Sequence, residues 1–190
     1  MEAKERLNNI ELKEKVAIFA EIILLIISAL YLSKCNLNIL TWAKIIILEI
    51  ILAIAALIDL KTKRIPNKLV LTALAVRLII LIPDYLYYKN EFVEVLIVSV
   101  VGLLISIISL LVLSAVSRGG FGMGDVKLMG CIGFFMGLAS SFYTLLFGMI
   151  LCMFFSLFLL ITKKAGKKDE IPFGPFIYLG FLCTITIGAF

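Results

Sequence analysis

Apolar runs close to the length of a membrane span recur along this chain, and short segments between them hold most of its charge. A helix needs about 20 predominantly apolar residues to cross a bilayer. With 63% of its 190 residues hydrophobic and a mean hydropathy of +1.15, the chain has too little polar surface to face water on all sides. An all-α, polytopic integral membrane protein is expected, with no room for a separate soluble domain.

Residues 1–15 mix Lys4, Arg6, Lys13 and Lys15 with Glu2, Glu5, Glu11 and Glu14 and read as a cytoplasmic N-terminal segment. No small-residue cleavage site follows the first apolar run, so a removed signal peptide is not expected. Residues 16–190 read as a single transmembrane domain, with spans near 16–33, 39–59, 68–83 and 92–116. The stretch 128–162 is too long for one span and reads as a hairpin turning near Gly137-Leu138-Ala139-Ser140-Ser141. The last run, 171–190, starts at Ile171-Pro172, and proline suits a first helical turn. That makes seven spans. Lys61, Lys63, Arg64 and Lys68, then Arg118 and Lys127, then Lys163, Lys164, Lys167 and Lys168 fall on the same side as the N-terminal basic residues. Lys34, Lys89 and Lys44 fall on the other. The positive-inside rule makes the first side cytoplasmic, the N-terminus inside and the C-terminus outside, in a multi-pass plasma (inner) membrane protein. The basic residues are spread over loops rather than gathered in a patch, so lipid and not nucleic acid is the expected surrounding.

The chain has no histidine, which excludes Ser–His–Asp and Cys–His hydrolysis and the HExxH zinc proteases. Cys35, Cys131, Cys152 and Cys183 form no CxxC pair, so no metal and no cofactor is expected. Cys131, Cys152 and Cys183 read as small buried hydrophobes, and Cys35 as a loop thiol.

Two loops on the basic side carry more than topology. In Asp59-Leu60-Lys61-Thr62-Lys63-Arg64-Ile65-Pro66-Asn67, Asp59 ends an apolar run. An acid at the membrane boundary is costly unless partnered and is a functional candidate by default; it also reads as a mere marker of the helix end. In Gly119-Gly120-Phe121-Gly122-Met123-Gly124-Asp125-Val126-Lys127, glycines allow positive φ and close approach, and Asp125 opens a helix where an acid suits the dipole. Alone, this reads equally as a flexible loop with a helix cap. A phosphate cradle fits poorly: the loop is not a Walker motif, follows no strand, and sets an aspartate where the anion would sit. Together the loops present two carboxylates on one face at similar depth. Two close carboxylates do not both ionise easily, so one keeps its proton while the other acts as base. Such a pair activates water and protonates a leaving amide without histidine, metal or covalent intermediate.

Asp59 through Asn67 resembles the first catalytic loop of the type IV prepilin peptidases. Gly122-Met123-Gly124-Asp125-Val126-Lys127 is similar to their GxGDxK motif, and Ile171-Pro172-Phe173-Gly174-Pro175-Phe176 resembles a further segment of bacterial members. The resemblance covers roughly 39–190. It implies that Asp59 and Asp125 are the catalytic aspartates of a GxGD-type aspartyl protease. It also implies prepilin or pseudopilin substrates, with a short basic leader before a hydrophobic helix, cut after a glycine at the cytoplasmic boundary. Longer members carry an N-terminal region with paired cysteines and methylate the new N-terminus; without a CxxC pair, the resemblance implies a short, peptidase-only form in which N-methyltransferase activity is not expected.

Supporting residues have two readings each. Lys127 either tunes an aspartate or binds a substrate carboxylate, or else is a snorkelling anchor. Gly122 and Gly124 form the hinge, and a movement of this loop bringing Asp125 toward Asp59 is one hypothesis. Thr62 reads as a loop residue first and as a hydrogen-bonding group near the site second; Pro66 and Asn67 set the turn into the next span. Pro172, Gly174 and Pro175 either line a substrate groove, as irregular backbone at membrane depth usually does, or simply start a helix. Lys61, Lys63 and Arg64 read as topology determinants. At about 1.5 Å per residue, Glu49 and Arg77 lie at matching depths on neighbouring spans, which predicts an ion pair. Phe134, Phe135, Phe142, Phe147, Phe154, Phe155 and Phe158 are expected to pack or face lipid. An alternative function is a small proton-coupled transporter with Asp59 and Asp125 as ion sites, although such acids usually lie near the midplane of repeat folds. A non-enzymatic assembly subunit would leave the glycine loop and paired acids unexplained. The oligomeric state is not encoded in these features.

Overall fold

The structure, a computed structural model, describes residues 37–117, 120–163 and 171–188, and before them positions 18, 20, 21, 23–28 and 30. Segment 1–15, Lys34, Cys35, Arg118, Gly119, Lys164, Lys167 and Lys168 lie outside the described residues. The described residues form helices and turns, with no strand among them. In chain order α1 is Ile39–Thr62, α2 Asn67–Tyr88, α3 Phe92–Val116, α4 Met123–Ile161 and α5 Gly174–Ile187. By length and composition α2, α3 and α4 can cross a bilayer. Their outward residues, such as Leu78, Ile79 and Ile82 on α2 and Val93, Ile97 and Ile108 on α3, are exposed. An apolar surface this continuous is stable only against lipid, and the chain is a polytopic membrane protein.

On α1 the buried residues Ile45, Leu48, Leu52, Ala55 and Ala56 recur at helical spacing. Asp59 continues that stripe. The sequence reading ended this helix at Asp59; α1 runs one turn further. It stops at Lys63, whose left-handed conformation (φ 51°) turns its N–H to the Asp59 carbonyl at 2.8 Å. Pro66, extended at φ −71° and ψ 135°, then leads into α2, where its missing N–H leaves nothing unsatisfied. α2 also runs past its expected end, through Pro83 to Tyr88. α5 starts at Gly174, so that Pro175 rather than Pro172 is the proline of its first turn.

α4 is a hairpin. Gly137 has φ 82° and ψ −176°, a region essentially confined to glycine. Ser106 of α3 packs against Gly133 before this break and bonds Ser141 after it, Oγ to Oγ 2.7 Å. In a continuous helix those two positions would be about 12 Å apart at 1.5 Å per residue, so one serine reaches both only if the chain reverses. The first arm packs on α3 where Gly102 meets Gly133, and a Cβ on either would strike the other's backbone. The second arm packs on α5, with Gly180 against Thr144 and Gly148 against Phe176. Small residues at such crossings let helix backbones approach closely in lipid, where no hydrophobic force drives them together.

The expected Glu49–Arg77 pair does not form. Arg77 gives Nη1 to Asp84 at 2.7 Å, Nη2 to Ser99 at 2.8 Å and Nε to the Phe134 carbonyl at 2.9 Å. Lys44, buried rather than in a loop, lies 3.2 Å from Asp84 Oδ1. Glu49 accepts from Ser28 at 2.5 Å. Arg77 and Asp84 are two helical turns apart on one face of α2, so its partner was nearer than another helix. Phe134 and Phe135 are buried beneath the guanidinium, while Phe142, Phe154, Phe155 and Phe158 are exposed. Cys131 is buried, and Cys152 and Cys183 are half-buried.

Candidate active site

Asp59 is 4% exposed on the inner stripe of α1. The start of α5 abuts it: the Gly174 N–H donates to Asp59 Oδ2 at 2.8 Å. The first turn of a helix has free N–H groups and the positive end of its dipole, both suited to an acid. A Cβ on Gly174 would lie 2.9 Å from the Asp59 Cβ, so only glycine lets the two elements meet this closely.

Asp125 occupies the third position of α4, and its Oδ2 accepts the N–H of Gly122 at 3.2 Å. This is the reach-back of an acid toward the N-cap backbone. The glycines beside it do not take positive φ: Gly122 has φ −71°, and the described positive-φ glycines are Gly137 and Gly188. Gly124 acts through proximity instead, since a Cβ there would lie 2.9 Å from the Ile65 Cβ. The loop after α1 can therefore rest on the loop before α4.

This brings the two aspartates onto common walls. A cavity of about 220 Å³ is bounded by Asp59, Asp125, Lys63, Arg64, Ile65 and the stretch Gly122-Met123-Gly124. A second, of about 310 Å³, is bounded by Asp59, Asp125, Lys63, Gly120, Gly122 and Ile171-Pro172-Phe173. Each carboxylate has one oxygen held by a backbone N–H.

Of the candidate residues, Gly122, Gly124, Pro172 and Gly174 are gathered around the pair. Others stand aside. Thr62 Oγ1 lies 2.9 Å from the carbonyls of Ile58 and of Arg64, tying the end of α1. Lys127 gives its Nζ to Asn67 Oδ1 at 2.8 Å, because residues two apart on a helix point to different sides. Pro66 and Asn67 start α2, and Pro175 starts α5. The sequence reading gave Lys63 a topological role only, yet it lines both cavities. It also missed the edge-to-face pair of Phe121 and Phe173, ring centroids 5.1 Å apart, which joins the glycine loop to the start of α5. A lone aromatic among glycines was the signal for it.

The model of the type IV leader peptidase family matches residues 46–157, more than half of the chain. The chain belongs to that family. The match takes in both Asp59 and Asp125 and stops before Ile171. A prepilin leader peptidase/N-methyltransferase of Bacillus subtilis (strain 168) is 32% identical over 82 residues, which are 42% of this chain and 32% of that protein. The chain thus matches about a third of that relative's length. No solved structure matches it.

Proposed function

We propose that this chain is a membrane aspartyl endopeptidase that removes the short basic leader of type IV prepilin or pseudopilin precursors at the cytoplasmic boundary of the plasma membrane. One observation carries the reading: Asp59 and Asp125, from helix ends far apart in sequence, line the same cavities at one end of the bundle. The ionised carboxylate takes a proton from water as the water oxygen attacks the scissile carbonyl carbon. The protonated carboxylate gives its proton to the amide nitrogen as the C–N bond breaks. No metal or cofactor enters this step.

Lys61, Lys63, Arg64 and Lys68 flank the aspartates' end, whereas Lys89 lies at the far end of α2, which supports a cytoplasmic site. The acids occupy end turns of α1 and α4, unlike the midplane acids of coupled transporters. We assign the peptidase step alone.

The test is co-expression with leader-bearing precursors, following leader loss by electrophoretic mobility. Asp59→Asn and Asp125→Asn should each lower cleavage by about 100- to 10,000-fold, the contribution typical of an acid–base group, while both variants still insert. Near-normal processing by either would sink the two-aspartate mechanism.

A further inference from the structure

A further concavity lies beside the two that the aspartates line and takes no part in the chemistry described. It is an open groove of about 380 Å³. Val70, Leu71 and Leu74 of α2 form one wall, and Leu103 and Ile107 of α3 the other. Asn67 and Lys127, joined at 2.8 Å, stand at its mouth. The mouth adjoins the catalytic cavity: Asn67 follows Ile65 and Pro66, Lys127 follows Asp125, and Ile65 rests on Gly124 between the two spaces. An extended chain advances about 3.3–3.6 Å per residue, so a few residues carry a peptide from the aspartates over Ile65 and Gly124 into the groove.

We infer that this groove seats one face of the apolar helix that follows the cleaved bond of the substrate, so that α2 and α3 dock the precursor while Asp59 and Asp125 cut it. The inference rests on the peptidase reading and names where the rest of the substrate lies. A helix about 10–12 Å across does not enter a space of this size; the side chains along one stripe of it do, in the helix-in-groove manner. Three features fit this occupant. The walls are apolar and run down α2 at helical spacing from Asn67 through Val70 and Leu71 to Leu74. The groove lies next to the cavity that would hold the scissile bond, two residues along the chain from it at both Ile65 to Asn67 and Asp125 to Lys127. The Lys127 ammonium, held by Asn67 Oδ1 at 2.8 Å, gives the groove one polar end beside the aspartates and leaves the rest of it apolar. The buried glycine–serine face of α3, Gly102 and Ser106, is already taken by α4, whereas Leu71 of the groove is exposed among the described residues.

The experiment places a photo-crosslinking benzoylphenylalanine at Leu74, or as control at the exposed Phe154 of the hairpin's second arm, in the Asp125→Asn background with full-length precursor in membranes. The precursor should crosslink at Leu74 several-fold more than at Phe154. Equal yields, or crosslinks at Leu74 to phospholipid alone, overturn the inference. A kinetic arm separates its failure from failure of the peptidase reading. Leu74→Trp, otherwise active, should lower kcat/KM about tenfold for the full precursor, as losing the burial of one apolar side chain would. It should leave a peptide truncated before the apolar helix cleaved as by wild type. Loss of cleavage to the same degree for both substrates overturns the groove assignment. A wild-type chain that cleaves neither overturns the peptidase reading, and the groove with it.

Discussion

Asp59 stands at the C-terminal end of its own helix, where the dipole disfavours a negative charge. The start of α5 offsets this through the Gly174 N–H. Asp125 stands at the N-terminal end of α4, and its own helix serves it. Both carboxylates are thus held by helix N-termini, one from within the same element and one from across the bundle. Gly174 is where this can be tested. In Gly174→Ala the added Cβ would come to 2.9 Å from the Asp59 Cβ, and one of the two must shift. A misplacement approaching 1 Å can reduce a rate about 100-fold. On the proposed peptidase reading, a loss of that order is expected in kcat for leader removal in detergent, with thermal unfolding near that of wild type. Unchanged kcat would mean that the contact does not position Asp59.

At the scale of elements, the hairpin is what makes the site possible. It returns the chain to the aspartates' end, so that α5 can begin there. Its turn depends on Gly137, whose φ of 82° strains any residue with a side chain and whose Cβ would lie 2.9 Å from Val98 Cγ1. Gly137→Ala should destabilise the protein by about 1–3 kcal/mol, read as a lower midpoint of thermal unfolding in detergent. The fraction still folded should keep its kcat, because Gly137 lies at the opposite end from Asp59 and Asp125. An unshifted midpoint would show that the turn tolerates a side chain.

For the molecule as a whole, the buried charge cluster ties four helices together. Lys44 of α1, Arg77 and Asp84 of α2, Ser99 of α3 and the Phe134 carbonyl of α4 meet around one guanidinium. Phe134 lies in the last turn before Gly137, at the negative end of that arm, so Arg77 also secures the hairpin turn. Removing one partner of a buried pair leaves an uncompensated charge and costs about 3–5 kcal/mol. Asp84→Asn, which leaves Lys44 and Arg77 facing each other, should destabilise by that amount in detergent unfolding. Conserved stability in Asp84→Asn would remove the cluster from any role in holding the bundle.

The sequence alone determined the helical membrane class and the hairpin, and it singled out Asp59 and Asp125, which the fold brings onto common walls. These follow from local quantities: an apolar run sets a span whatever it packs against, and a lone acid at its edge is conspicuous because hydrocarbon does not solvate charge. Helix ends were read less well, because caps such as the left-handed Lys63 depend on backbone geometry that residue identity only biases. What only the tertiary structure decided was who meets whom. Arg77 took Asp84 rather than Glu49, Lys127 took Asn67 rather than an aspartate, Phe121 found Phe173, and Gly174 came to Asp59. Those partners are set by how helices rotate and cross, and that is fixed by glycines such as Gly102, Gly133 and Gly180 letting backbones touch. A glycine has no side chain to name its partner, so the site's composition was legible in the sequence while its assembly was not.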